Sequence, residues 1–212
     1  MECRGYDKRK KIVKEYNVIP VAHLKLLSHQ TKHSDAGSTI KDEYYIFKAV
    51  NKRNGNEEVI QCGMGAAKDF LRLLNHGGLP IFNPLKINNT NSKENNYNKN
   101  KNRCKNKWNK EAEQLHNAIM WLIVIWNAKL DTPLFEFKED IEKYKYCNPF
   151  DWKIIRVNNT IKNGGKGKTL TEMINFYREY NNIKDSICNF DLINARISKI
   201  KDENGDNIES FF

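Results

Sequence analysis

This chain has no apolar run long enough to cross a bilayer. The longest, Ala118 to Trp126, holds nine residues, against the roughly twenty of a membrane-spanning helix. It reads as a buried core helix, and no membrane partner is expected. Cysteine is sparse and badly spaced for bridging: Cys3, Cys62, Cys104, Cys147 and Cys188 are odd in number, far apart, and form neither a C-x-x-C pair nor a Cys/His knuckle. Free thiols in a cytoplasmic setting are the expectation. The amino terminus places Lys8, Arg9, Lys10 and Lys11 where a secretory signal would need a short apolar core. Export is therefore not expected.

Aromatic residues are not scarce. Ten Phe, nine Tyr and four Trp are too many for a wholly disordered chain, although 29% of residues are charged and 39% apolar. A chain of 212 residues can bury one good core or two small ones. The formal charge of +10 is unevenly spread: +6 over residues 1–87, +6 over 88–110 and −2 over 111–212. Any contact with a polyanion belongs in the first half and the middle. The competing explanation is codon bias, because Asn, Lys, Ile and Tyr are all encoded by A/T-rich codons.

Residues 88–109 contain ten Asn, five Lys and one Arg, and such a stretch buries too little surface to offset its ordering entropy. It reads as a linker or loop. It separates a basic hairpin–helix module, residues 1–87, from a second module with a buried helix, residues 110–212. In the first module a short amphipathic helix precedes Pro20, and Glu43 to Gln61 alternates around Asn54-Gly55 as a β-hairpin. A helix follows, with Ala67, Phe70, Leu71 and Leu74 on one face, and His76-Gly77-Gly78 stops it.

In the second module Asn109 caps a helix running to about Leu130, and Thr169 with Glu172 forms a capping box. Phe135 to Lys138 and Trp152 to Val157 read as strands, and Asn204-Gly205 as a second hairpin turn. Hairpins with non-alternating helices give an α+β fold: a β-hairpin followed by a helix, then a central buried helix with short strands.

The motifs that suggest chemistry are fragments. Lys162 to Thr169 resembles part of a phosphate-binding loop, but position 162 is Lys where the loop needs Gly. What remains is an expected phosphate contact at Lys166, Lys168 and Thr169, at a helix start. Cys62 precedes a helix, a position that can activate a thiol, and a buried structural cysteine is the alternative. Gly63-Met64-Gly65 is an incomplete dinucleotide fingerprint, so no cofactor is assigned. His29 and His33 share a helical spacing without further ligands, so no metal site is assigned. Asp131, Glu136 and Lys138 match the residue types of a metal-dependent nuclease if they sit on neighbouring strands.

The leading expectation is binding of nucleic acid or another polyanion through Lys8, Arg9, Lys10, Lys11, Lys99, Lys101 and Arg103, with Trp108 stacking. A bacterial or phage defence setting would suit it. The competing classes are a nuclease or thiol enzyme, and a protein-interaction factor whose charge is incidental.

Overall fold

The structure, a computed structural model, describes residues 1–86 and 107–212. They form an α+β mixture in two compact units. The first comprises Met1–Pro84 with Trp126–Thr132, the second Leu85–Ile125 with Pro133–Phe212. No helix among the described residues is long and apolar enough to cross a membrane.

In the first unit, α1 (Tyr6–Glu15) leads into β1 (Tyr16–Lys25), followed by the short pair β2 (Lys32–His33) and β3 (Thr39–Ile40). Next come β4 (Glu43–Asn51), β5 (Glu57–Gly63) and α2 (Met64–Leu73). The antiparallel order is β1-β4-β5, so the most apolar strand is central. Pro20, which has no N–H to give, sits in an edge strand, and the β1 register shifts beside it, between Pro20 and Ala22. Strand alternation puts Tyr45, Phe47 and Ala49 on one face with Val18, Ile60 and Cys62. Ile12 of α1 and Ala67 and Phe70 of α2 close this core, the Phe47 and Phe70 rings lying 5.2 Å apart. Tyr44 and Ile46 face the other way and are also buried.

The stop after α2 follows from backbone geometry. Asn75 is left-handed at φ 50°, and the His76 amide donates back to the Leu71 carbonyl at 2.9 Å. Gly78 then takes φ 89°, and a Cβ there would lie 3.1 Å from the Tyr45 hydroxyl. That hydroxyl accepts from the Leu79 amide at 3.0 Å and so fixes the strap beyond, where Phe82 bridges Leu24. Gly78→Ala combines strain with this contact and is expected to cost about 1–2 kcal/mol or more, read as a lower urea midpoint.

In the second unit, α3 (Lys110–Ile125) packs against α4 (Pro133–Lys143), α5 (Asp151–Gly164), α6 (Leu170–Arg178) and α7 (Asp191–Ile197). Asn109 Oδ1 accepts from the Glu111 and Ala112 amides, at 2.9 and 3.2 Å, as an N-cap does. Leu115, Ala118, Ile119, Trp121, Leu122 and Ile123 are fully buried all around α3, as an apolar helix requires. The helix stops at Ile125, short of Leu130, because Asn127 turns left-handed at φ 51°.

Both strands expected in this unit are helices. Pro133 supplies a preset φ at the start of α4, and Leu134, Phe135, Lys138 and Ile141 are its buried positions, a helical spacing. In α5 the buried set is Lys153, Ile154, Val157, Asn158 and Ile161, again spaced by three and four. Alternating aromatics at Phe135 to Lys138 and β-branched residues at Trp152 to Val157 imitated strands over short windows. The turn at Asn204-Gly205 exists, with Gly205 at φ 85°, but only one bridge, Lys201 to Asn207, flanks it. Asn158 anchors the chain end: its Nδ2 donates to the Glu209 carbonyl at 2.9 Å and its Oδ1 accepts from the Phe211 amide at 2.8 Å.

Glu142 on α4 accepts from Lys138 Nζ at 2.7 Å and meets His116 Nε2 at 3.1 Å. Burial pushes its carboxyl up, but the bonds and charges of His116 and Lys138 together hold it below the usual carboxylate range. A carboxyl lowered by folding stabilises above its unfolded value of about 4.3, and that contribution is lost as pH falls through the folded value. The urea midpoint should therefore drop more steeply below about pH 4.3 in the native chain than in Glu142→Gln.

Candidate functional site

Helix α1 turns one stripe outward: Asp7, Lys10, Lys11 and Lys14, at i, i+3, i+4 and i+7. The opposite side carries Ile12 into the core and also Arg9. The Arg9 guanidinium is held by Asp69 of α2, at 3.1 Å through Nε and 2.6 Å through Nη2, and donates to the Cys3 carbonyl at 2.9 Å. This fork fixes α1 on α2 and commits the Arg9 guanidinium to the fold. Lys8 pairs with Glu2 at 2.7 Å. Of the four basic residues at the amino terminus, Lys10 and Lys11 thus face the open side, whereas Arg9 is structural.

The turn between β4 and β5 completes the site. Asn51 Oδ1 accepts from the Arg53 amide at 2.9 Å, an Asx turn, and Gly55 supplies φ 73°. Lys52 then reaches the carboxy-terminal end of α1, donating from Nζ to the Val13 and Lys14 carbonyls at 3.0 and 3.1 Å, while its amide meets the Glu15 carbonyl at 3.0 Å. Cations suit that end of a helix dipole. The result is an open groove of about 850 Å³ lined by Lys10, Lys11, Lys14, Lys52 and Arg53, with Asp7 and Glu15 the only acids among the described residues. Lys11 lies 3.9 Å from Glu15. Lys10, Lys14 and Arg53 have no carboxylate partner among the described residues.

Sequence reasoning missed Lys52 and Arg53 as site residues. Their neighbour Asn54-Gly55 marked a turn, but nothing local told where that turn docks. Lys99, Lys101 and Arg103 lie outside the described residues. Trp108 is half-buried, its ring 4.8 Å from that of His116 and 5.8 Å from Lys145 Nζ.

The model of one family, described as uncharacterised conserved protein UCP028583, matches residues 1–206. The chain belongs to this family. Its match takes in α1, the β4–β5 turn and all the helices of the second unit. No curated protein and no solved structure matches the chain.

The enzyme candidates are not assembled as that chemistry requires. Glu136 and Lys138 are on helix α4, not on strands, and being two apart they point to different sides: Glu136 is exposed, Lys138 buried and committed to Glu142. Asp131 belongs to the other unit. No cluster of three metal-ligating side chains exists among the described residues. Cys62 is fully buried at the end of β5, and its hydrogen bond with the Cys3 thiol, together with burial, pushes its own thiol up. That is a core thiol held protonated. The Lys162–Thr169 segment begins in the last turn of helix α5 instead of after a strand, and Thr169 is occupied in its capping box: its hydroxyl accepts from the Glu172 amide at 3.1 Å, and its own amide donates to the Glu172 carboxylate at 2.8 Å. Lys166 and Lys168 stand exposed beside it.

Proposed function

We propose that the chain binds nucleic acid, or a polyanion with similarly spaced charges, through the groove between α1 and the β4–β5 turn. The observation that carries this reading is that Lys10, Lys14 and Arg53 converge on one groove without a carboxylate partner among the described residues. Paired surface cations are half-neutralised before a ligand arrives, whereas unpaired ones release counterions from a phosphate backbone at full effect. Lysines, which are point charges without a planar fork, supply most of the groove's cations, so binding is mainly to backbone charge. The excess of cations in the first half of the sequence supports the same reading.

Fluorescence anisotropy with generic duplex DNA, single-stranded RNA and heparin tests it. Binding is expected at low salt, with log K falling linearly with log salt. Absence of binding to all three at low ionic strength would leave codon bias as the explanation of the charge.

A further inference from the structure

The sheet face turned away from α1 and α2 carries a second, open cavity of about 560 Å³ in the first unit. Ile46, Val59 and Gln61 form its sheet wall, and Lys32 and His33 of β2 stand opposite residues 127–131. Lys32 Nζ lies 4.6 Å from the centre of the buried Tyr44 ring and donates to the amide oxygens of Asn127 and, at 3.4 Å, Gln61. No carboxylate pairs with it among the described residues. Other half-buried lysines of this unit differ: Lys25 has both Asp42 and Glu43.

Neutral amide oxygens and a ring face accept N–H groups but compensate poorly for water lost around a full charge. Burial accordingly lowers Lys32 to about 8. A lysine amine becomes a nucleophile under these conditions, desolvated, uncommitted to an acid, and open to a cavity.

We propose that Lys32 is a reactive amine that takes a small aldehyde or ketone into this cavity as an imine. The Nζ lone pair forms a C–N bond to the carbonyl carbon, and the carbonyl electron pair moves to oxygen, which takes up a proton. Nitrogen loses one proton to give the carbinolamine, whose oxygen takes up a second proton and leaves as water while nitrogen loses its other proton, leaving C=N with no change of oxidation state. Solvent in the open cavity exchanges these protons. The charged or titratable groups facing Lys32 are His33 of the same strand, Asp35, Lys129 and Asp131, with Tyr44 beneath. Asp35 is turned to the Gln61 amide at 2.6 Å, and burial holds the Tyr44 phenol protonated. The inference goes beyond polyanion binding and stands or falls separately from it, because none of the groove cations lines this cavity.

The full chain is incubated with pyridoxal, an aldehyde of almost no net charge, at about pH 7.5, reduced with borohydride, and mapped by peptide mass. The Lys32 adduct should form at least about tenfold faster than adducts at exposed Lys10 or Lys68, since far more of it is neutral at that pH. Its rate should rise with pH to a midpoint near 8, and the preference should vanish in urea. Lys32→Arg should lose this adduct while its circular dichroism remains native. Lys32 labelling no faster than the exposed lysines, or a midpoint at the ordinary lysine value, overturns the proposal, and both are read on the native chain without any variant.

Discussion

Reversing Lys10, Lys14 and Arg53 together to Glu is expected to weaken binding to duplex DNA by about a hundredfold or more at about 50 mM salt. Each phosphate contact on a duplex adds about 0.9 to the slope of log K against log salt. Three lost contacts should therefore flatten that slope by about two to three. Reversal adds repulsion on top of the loss, because the new carboxylates would join Asp7 and Glu15 in the same groove. The fold should survive, since these side chains are exposed and make no ion pair among the described residues. Arg9→Glu is the informative contrast: it would separate α1 from Asp69 and should lower stability first, with binding falling only as a consequence. Anisotropy titrations at several salt concentrations measure both quantities. An unchanged slope in the triple variant would place the binding elsewhere.

The largest stability effect is expected at Trp121. Its side chain is fully buried in the middle of α3, and its indole Nε1–H donates to the Ile187 carbonyl at 3.0 Å. Trp121→Ala leaves a cavity in a helix surrounded by helices and orphans that carbonyl, at a cost of about 3–5 kcal/mol. Domain stabilities of about 5–15 kcal/mol make that close to the whole margin. Trp121→Phe keeps most of the volume and loses the hydrogen bond, so it should cost less. Urea unfolding followed by far-ultraviolet circular dichroism should show the midpoint falling in the order native, Phe, Ala. A loss under about 1 kcal/mol for Ala would contradict the packing described.

How much of this was legible in the sequence depended on how local the signal was. The hairpin around Asn54-Gly55, the helix stop at Gly77-Gly78, the Asn109 cap and the Thr169–Glu172 box each rest on residues a few positions apart, and each is present. The apolar centre of α3 announced its own burial. Where several readings suited a short window, the sequence misled: Phe135 to Lys138 offered an alternation, and only the longer run from Leu134 to Ile141 reveals the helix. With those strands gone, the proposed pairing of Glu136 and Lys138 lost the geometry that made it chemical.

The groove was half legible. A run of cations at Lys8 to Lys11 is plain to the eye, but which of them faces outward is settled by Asp69, sixty residues away. The docking of Lys52 on the last carbonyls of α1 is likewise long-range. So is the neutral setting of Lys32, which needs Gln61 and Asn127 together. Charge is visible in a sequence. Whether a charge is already spent on a partner is a property of the fold.

The most direct test of the account is differential labelling of lysines with and without a bound DNA duplex at low salt. Lys10 and Lys14, and Lys52 beside them, should lose reactivity on binding, while Lys68 on α2 and Lys166 and Lys168 in the second unit keep theirs. Protection confined to Lys166 and Lys168, or spread evenly over every exposed lysine, would contradict a binding surface built from α1 and the β4–β5 turn.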